Sequence, residues 1–411
     1  MGTAEVNARL LLVIAIVVVA AKAVGWLAQR VGQPRVMGEI IAGILLGPSL
    51  LGLVWPAATD HLFPPEVLSS LSAIAQLGLV LFMFLVGVDF DPAHLRAQGH
   101  RAVVISHASI VLPVLLGLGL STWLHPRVGG DTDPLSFGLF MGAAMAITAF
   151  PVLASMLQDS GLASTRIGTL ALTCAAVDDV TAWFVLAGVI ATIQSSGAGD
   201  VVGTLGWTAL YLLVMVKVAR PLIRSRERLP LAVAVGFALL SAWVTELIGI
   251  HAIFGAFAAG AIIPAQSLQR LELTERLEST TRSVLLPMFF AVVGLSTRVD
   301  LLDSPYLWGI AAIVIAVAIV GKLVGSAVAA RVVGENWQDA LTIGVLMNTR
   351  GLTEIVILTV GLELGVINET VFSIMVLMAL VTTLMAWPTL RLAGISLPAD
   401  SARGRSPAEG V

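Results

Sequence analysis

The sequence predicts an all-α polytopic membrane protein with about thirteen transmembrane helices. Of its 411 residues, 57% are hydrophobic and only 12% are charged, and the mean hydropathy is +0.96. A soluble domain carries about 25% charged residues, so this chain has too little polar surface for a water-soluble globule. Its apolar residues form runs of roughly 18 to 25 residues between short polar breaks, a length typical of membrane-spanning helices.

The predicted spans follow one another along nearly the whole chain. They cover approximately residues 9–28, 36–55, 70–88, 102–124, 135–157, 164–192, 201–222, 230–248, 250–264, 283–297, 306–330, 338–362 and 368–392. The first run lacks a basic segment before it and is too long for a cleaved signal peptide. Residues 1–398 are therefore predicted to form one transmembrane domain, followed by a short disordered cytoplasmic tail at 399–411.

The positive charges predict the orientation of the spans. Seventeen Lys and Arg residues fall on the side reached after the first span, and only Arg9, Arg127 and Arg298 fall on the opposite side. Because positive charges accumulate on the cytoplasmic side, the N-terminus is predicted to lie outside and the C-terminus in the cytoplasm, with the protein in the cell (plasma) membrane. The alternation also favours an odd number of spans.

Two segments indicate an internal repeat. Residues 83–89 (MFLVGVD) resemble residues 288–294 (MFFAVVG), which are followed by Arg298-Val299-Asp300. The first segment ends span 3 on the cytoplasmic side and the second ends span 10 outside. Similar sequence in opposite orientation is typical of inverted-topology repeats, here about 9–192 and 230–392 with a linker helix at 201–222. The alternative is chance similarity between apolar helices rich in Phe and Gly.

Two adjacent acids, Asp178 and Asp179, lie near the centre of span 6. An intramembrane charge costs about 2.5–3.5 kcal/mol on insertion scales, so such residues are paired or line a wet cavity. Adjacent helical side chains point about 100° apart, so one carboxylate can face a cation path while the other faces a neighbouring helix. A carboxyl group that holds either a proton or a cation is what a proton-coupled carrier needs. The alternative is a pair of acids that only forms salt bridges between helices.

Other ionisable residues fall inside or near the spans. Lys322 in span 11 is the obvious countercharge for the acidic pair, since a buried lysine can lose its proton when its partner engages a cation; a purely structural ion pair is the alternative. Lys22 and Glu39 are close enough to an interface to snorkel, and Glu39 is kept as an accessory candidate. His251, at the start of span 9, is either an interface histidine or an accessory ligand.

Spans 5 and 12 contain residues that break helices. In span 5, Pro151 removes a backbone donor and clashes with the preceding turn, close to Thr148. In span 12, Gly351 follows the charged Arg350. Broken helices at membrane depth free carbonyls to coordinate cations and expose half-helix dipoles. Two interpretations of Arg350 and Glu354 stay open: an i, i+4 ion pair, or neutralisation of the opposing half-helix ends.

Six motifs, in this order, resemble the monovalent cation:proton antiporter-2 family, which includes bacterial Na⁺/H⁺ and K⁺/H⁺ exchangers and plant cation/H⁺ exchangers. They are GEIIAGILLGP (38–48), FLVGVD (84–89), TAFPVLA (148–154), AVDDV (176–180), HAIFGAF (251–257) and NTRGLTE (348–354). The resemblance covers about residues 8–393. It implies a thirteen-helix antiporter fold with a dimerisation domain and a core of spans 4–6 and 11–13, in which two broken helices cross beside the acidic pair.

The resemblance also implies a function and a site. A homodimer in the lipid bilayer would exchange Na⁺ or K⁺ for H⁺ by elevator-like alternating access. The implied cation/proton site comprises Asp179, Asp178 and Thr148: Asp179 resembles the carrier of the metal cation and the proton, and Asp178 resembles the partner of Lys322. The residues at the helix crossing would be Thr148, Pro151, Asn348, Thr349, Arg350, Gly351 and Glu354.

Several properties are expected to be absent, and others stay open. No cofactor, enzymatic activity or nucleic-acid partner is expected, since no Walker motif, metal-ligand cluster or nucleophile elbow occurs in the sequence. Some potassium-efflux relatives carry a C-terminal nucleotide-binding regulatory domain; this domain is not expected here, so that regulation is expected to be absent or supplied by another chain. Asp-Asp with a Lys partner resembles electrogenic exchangers, but TRGLTE is closer to the plant exchangers, so electrogenicity and the choice between Na⁺ and K⁺ stay open.

Four alternative functions differ in what they require. A proton-coupled transporter of another cation or of an organic solute would use the same fold. A cation channel could use the same acids, but no repeated selectivity loop is visible. A symporter of organic anions is disfavoured by the acidic site. An intramembrane aspartyl protease needs two acids that converge on one water, whereas adjacent helical residues diverge.

Overall fold

The structure is a computed structural model that describes residues 3–89, 99–159, 162–163, 165–194, 198–225, 229–264 and 268–392. Regular secondary structure in this part of the chain is entirely helical. The helices are α1 Thr3–Arg30, α2 Arg35–Leu46, α3 Leu51–Val54, α4 Pro56–Leu62, α5 Pro65–Asp89, α6 Gly99–Leu124, α7 Pro134–Met145, α8 Phe150–Asp159, α9 Arg166–Gln194, α10 Ala198–Val214, α11 Arg220–Arg224, α12 Leu231–Ile248, α13 Ala252–Ala261, α14 Leu268–Thr280, α15 Leu286–Ser296, α16 Pro305–Val332, α17 Trp337–Met347, α18 Leu352–Glu363, α19 Glu369–Leu384 and α20 Ala386–Leu392. The tail predicted at 399–411 lies outside the described residues.

The helices account for all thirteen predicted spans. Within the described ranges, ten helical stretches are long and apolar enough to cross a membrane. The other three spans are the interrupted or short ones. Span 9 is the ten-residue α13, and spans 5 and 12 are each divided into two half-helices, α7 with α8 and α17 with α18. The prediction of an all-α polytopic membrane protein is confirmed.

The chain divides into two compact units. Unit 1 comprises Met1–Val24, Glu39–Ala93 and Trp183–Ser296, and unit 2 comprises Gly25–Gly38, His94–Ala182 and Thr297–Val411. Unit 2 thus contains spans 4, 5, 11, 12 and 13 and most of span 6. This is the set that the resemblance assigned to the core.

Unit 1 is packed through glycines that allow helix backbones to touch. Gly43 of α2 and Gly294 of α15 lie so close that a Cβ on either would meet the backbone of the other helix, and Gly87 of α5 and Gly260 of α13 form a second such pair. α5 and α15 carry the two segments of the predicted internal repeat. Each segment therefore uses a glycine to pack closely on a partner helix, as small residues do at membrane helix interfaces.

Unit 2 is built around α16, which packs along α6 and α17, while α6 also packs against α7. An apolar cluster that includes Ile105, Ala175, Ile343 and Leu346 fills the space between these helices. Between membrane helices such side chains stabilise the fold through close van der Waals packing. This packing fixes the helix breaks of α7–α8 and α17–α18 beside α9.

Candidate functional site

The first helix break separates α7 from α8. α7 ends at Met145, and residues 146–149 are not helical before α8 begins at Phe150. Pro151 is the second residue of α8, where a missing N–H leaves no helical bond unmade. In a continuous helix its ring would clash with the carbonyl of the residue four positions earlier, so the break lies where the proline requires it. The side chain of Pro151 lies outside the described residues.

The second break separates α17 from α18 and consists of residues 348–351. Gly351 has a φ of +152°, a conformation that L side chains rarely adopt. A Cβ at this position would also lie 2.8 Å from Cγ2 of Val152 in α8. Gly351 therefore allows both the turn and the close approach of the other broken helix.

The two breaks contact each other directly. The backbone N–H of Ala149 donates to the carbonyl of Thr349 at 3.1 Å, and the Thr148 hydroxyl lies 3.2 Å from the carbonyl of Met347. Thr349 is fully buried, and Asn348 is 2% exposed. The predicted crossing of Thr148 with Asn348 and Thr349 is therefore present in the structure.

Two cations cap the C-terminal end of α7. Arg350 donates to the carbonyls of Met145 at 2.7 Å and Ala144 at 3.3 Å. Lys322 donates to the carbonyl of Ala146 at 2.5 Å. The last carbonyls of a helix have no partner within the helix and carry the negative end of its dipole. Arg350 and Lys322 satisfy both requirements inside the membrane.

Arg350 also forms an ion pair with Glu354, with Nη1 and Oε1 3.1 Å apart and both side chains fully buried. Glu354 lies in the first turn of α18, where a negative charge offsets the positive end of the helix dipole. The two interpretations left open by the sequence therefore both hold: the residues pair with each other, and each faces a half-helix end of opposite sign.

Asp178 is fully buried and accepts hydrogen bonds on both carboxylate oxygens. Ser106 donates to Oδ1 at 2.5 Å, and Ser109 and Thr148 donate to Oδ2 at 2.6 and 2.8 Å. The ammonium of Lys322 lies 2.9 Å from Oδ2 and is also fully buried. A buried carboxylate is tolerated only when it is paired and hydrogen-bonded, and Asp178 meets both conditions.

Asp179 has very different surroundings. Its side chain is partly exposed. Its Oδ1 is buried but has no hydrogen-bond partner among the described residues. The Thr353 hydroxyl and the backbone amide of Phe150 lie close to its carboxylate. A carboxylate oxygen that lacks a hydrogen-bond partner keeps lone pairs that can accept a proton or a cation.

These features belong to a known family of transporters. The sodium/hydrogen exchanger transmembrane family model matches residues 13–392. The chain belongs to this family. The resemblance to cation:proton antiporters that the six motifs predicted is thereby confirmed.

Relatives of this exchanger-family chain come from bacteria, plants and yeast. It is 43% identical to the Na⁺/H⁺ antiporter NhaS4 of Synechocystis sp., with 93% of this chain and 97% of the relative covered. It is 39% identical to cation/H⁺ antiporter 17 of Arabidopsis thaliana, with 92% and 47% covered, and 34% identical to K⁺/H⁺ antiporter 1 of Saccharomyces cerevisiae, with 88% and 43% covered. The chain therefore spans less than half the length of the plant and yeast relatives.

The fold also matches that of a solved exchanger. The sodium proton antiporter MjNhaP1 of Methanocaldococcus jannaschii at pH 8 superposes with a TM-score of 0.62 at 15% identity, covering 95% of this chain and 99% of the other. A second structure of that antiporter gives a TM-score of 0.66 at 14% identity. At this identity the match shows a shared fold.

Glu39 and His251, the two accessory candidates, belong to unit 1. Glu39 is 5% exposed and lies in α2. His251 is the N-cap of α13 with a φ of +73°, and its Nδ1 accepts from the backbone N–H of Ile253 at 3.5 Å. This cap explains why a histidine precedes the short span. The accessory role of both residues stays a prediction.

Four polar residues of the site were missed in the sequence. Ser106, Ser109 and Thr353 contact or face the acidic pair, and Thr383 of α19 holds the second break through bonds of 2.8 and 2.7 Å to the backbone N–H and carbonyl of Arg350. Serine and threonine are common in membrane helices, so their presence alone is a weak signal. The spacing of Ser106 and Ser109, one helical turn apart within an apolar run, was the one available indication.

Proposed function

We propose that this chain is an antiporter that exchanges a monovalent cation, Na⁺ or K⁺, for H⁺, and that Asp179 holds each of them in turn. The observation that carries the proposal is the contrast within the acidic pair. Asp178 is closed off by four donors, whereas Asp179 is partly exposed and keeps an unpartnered oxygen. The names of the family and of its relatives support the same activity.

One carboxylate can couple the two flows because it binds one positive ion at a time. An empty, ionised Asp179 carries an uncompensated charge, which is costly to move through a membrane. A proton or a monovalent cation neutralises that charge. The loaded site can therefore move from one side of the membrane to the other with a smaller free-energy cost than the empty site. Carbonyls freed by the two helix breaks supply neutral oxygens for the cation.

The location of the site supports elevator-like movement. The hydrogen bonds and ion pairs described above for Asp178, Lys322 and Arg350 all lie within unit 2, so unit 2 can carry the complete site as one body. Unit 1 would then form the stationary part and the interface of a homodimer in the lipid bilayer. The excess of Lys and Arg after odd-numbered spans supports a plasma-membrane protein with its N-terminus outside and its C-terminus in the cytoplasm.

Exchange by purified protein in proteoliposomes tests the proposal. With a proton gradient imposed and reported by a pH-sensitive dye, addition of Na⁺ or K⁺ to the wild type should collapse the gradient. Asp179→Asn should reduce this response to the level of protein-free vesicles, because a neutral amide has no negative charge with which to bind a proton or a metal cation. The matched control is Asp60→Asn, which alters an exposed acid outside the site. Exchange that persists in Asp179→Asn would rule out Asp179 as the carrier.

A further inference from the structure

Two serines on α6 hold the buried acid Asp178. The Ser106 hydroxyl donates to Oδ1 at 2.5 Å, and the Ser109 hydroxyl donates to Oδ2 at 2.6 Å. Both serines are fully buried. Residues three positions apart lie on the same face of a helix, so both hydroxyls meet the carboxylate from one side.

The two oxygens of Asp178 depend on these serines to different degrees. Oδ2 accepts from Thr148 and Lys322 as well as from Ser109. Over the described part of the chain, Ser106 is the one donor to Oδ1. Loss of the Ser109 hydroxyl would leave Oδ2 with two donors, one of them charged. Loss of the Ser106 hydroxyl would leave Oδ1 with none.

We propose that Ser106 determines cation specificity by occupying Oδ1 of Asp178 and keeping this acid out of the coordination sphere of the cation at Asp179. The inference rests on the proposed function. The cation then meets a single free carboxylate, and its other ligands are neutral oxygens. Lys322, 2.9 Å from Oδ2, repels a cation from that oxygen, so Oδ1 is the one position through which Asp178 could join the site.

The number and field strength of the ligands decide which alkali cation is preferred. A second carboxylate oxygen would raise the field strength of the site. A smaller and harder cation gains more from such a change than a larger one. Exposure of Oδ1 should therefore strengthen binding of Li⁺ and Na⁺ relative to K⁺ and slow their release.

The test uses ion-dependent thermal stabilisation of the purified full chain in detergent, with Li⁺, Na⁺ and K⁺ as probes and choline as the control salt. An ion that binds the native state raises the melting temperature according to its affinity. In Ser106→Ala, the apparent affinity for Na⁺ and the Na⁺/K⁺ preference should each rise about three- to tenfold, since a new ionised ligand joins the site. Ser109→Ala should shift the preference less than Ser106→Ala, because Oδ2 keeps two donors. Ser121→Ala, a change on the same helix at a serine that donates to the carbonyl of Leu118, is the control and should stay within about twofold of wild type. Ser106→Thr, which keeps a hydroxyl, should also behave as wild type.

Wild-type selectivity in Ser106→Ala would overturn the proposal, and so would equal shifts in Ser106→Ala and Ser109→Ala, which would indicate a general packing effect. If Ser106→Ala does not fold, Ser106→Cys decides. Its thiol is a weak donor of similar size, so an intermediate shift supports the proposal and wild-type selectivity overturns it. Asp179→Asn should lose all ion-dependent stabilisation. If it keeps that stabilisation, the proposed function fails, irrespective of the results for Ser106.

Discussion

At the scale of single residues, two adjacent acids have opposite surroundings. Asp178 is saturated by hydroxyls from α6 and from the first break and by the ammonium of Lys322, whereas Asp179 is partly exposed with an unpartnered oxygen. Neighbouring side chains on a helix point about 100° apart, and this is enough to give the two carboxylates different partners. Thr148 links the acidic pair to the helix crossing, because its hydroxyl contacts both Asp178 and the carbonyl of Met347 beside the second break.

Gly351→Ala provides a test at the residue scale. The alanine would have to keep a backbone φ of +152°, and its Cβ would lie 2.8 Å from Cγ2 of Val152. Backbone strain of this kind costs about 1–3 kcal/mol. We expect a lower melting temperature and a substantial loss of exchange, measured by thermal unfolding in detergent and by proteoliposome flux.

Gly236→Ala is the control for Gly351→Ala, because a Cβ there meets open space within α12 and the change favours a helix. Val152→Ala in the Gly351→Ala background should restore part of the stability by removing the clash. Equal stability of Gly351→Ala and Gly236→Ala would show that the second break tolerates a side chain.

At the scale of helices, opposite charges stabilise the ends of interrupted elements. Arg350 and Lys322 cap the end of α7, and Glu354 stands at the start of α18. A different charge cluster joins the ends of α6, α9 and α17. There the Glu335 side chain, 3% exposed, accepts from Arg166 at 2.9 and 2.7 Å and lies 3.5 Å from Arg101.

Glu335→Gln tests this cluster through its pH dependence. Hydrogen bonds from Arg166, with the positive charges of Arg166 and Arg101, hold the pKa of Glu335 below its ordinary value of 4.5. A carboxylate whose folded-state pKa is depressed stabilises the fold above its unfolded pKa, and this contribution is lost as the pH falls through the folded value. Wild-type protein should therefore lose stability as the pH falls below about 4.5.

The Glu335→Gln variant should be less stable at pH 7, by about 1 kcal/mol because the arginines are largely exposed, and it should lose less on acidification. Melting temperatures between pH 7 and pH 3.5 measure both effects. Glu66→Gln, at an exposed position, is the control. Parallel pH curves for wild type and Glu335→Gln would contradict a stabilising role for the ionised carboxylate.

At the scale of the whole molecule, the helices of the described residues cover the thirteen predicted spans and fall into two units, and unit 2 contains the broken helices and the acidic pair. The positive charges predict which ends of these spans face the cytoplasm. The single cysteine of the sequence, Cys174, is fully buried. This makes single-cysteine labelling a direct test of the orientation.

In a Cys174→Ala background, Asp131→Cys should react with a membrane-impermeant maleimide on intact cells, because it lies between spans 4 and 5 on the predicted outer side. Trp337 lies at the start of α17 on the predicted cytoplasmic side and is 59% exposed. Trp337→Cys should therefore react only after permeabilisation. The reverse pattern would overturn the predicted orientation. Wild-type protein should stay unlabelled in both conditions, since its cysteine is inaccessible.

The sequence by itself determined the membrane class, the thirteen spans, the two helix breaks and the acidic pair with Lys322. These properties depend on local features: the length of an apolar run, a proline or glycine within it, or a charge where charges are costly. The six motifs added the family, and the two that contain Thr148 and Thr349 meet at the helix crossing.

Only the tertiary structure decided that Asp178 has hydrogen-bond partners on both carboxylate oxygens, whereas Oδ1 of Asp179 has none among the described residues. The partners of Asp178 lie 72, 69, 30 and 144 positions away in the sequence, and Arg350 reaches carbonyls 205 and 206 positions away. Serine hydroxyls and backbone carbonyls occur throughout membrane helices, so no local pattern distinguishes those that meet a carboxylate or a guanidinium. Helix packing brings them together, because a buried charge is stable only where donors or acceptors converge on it.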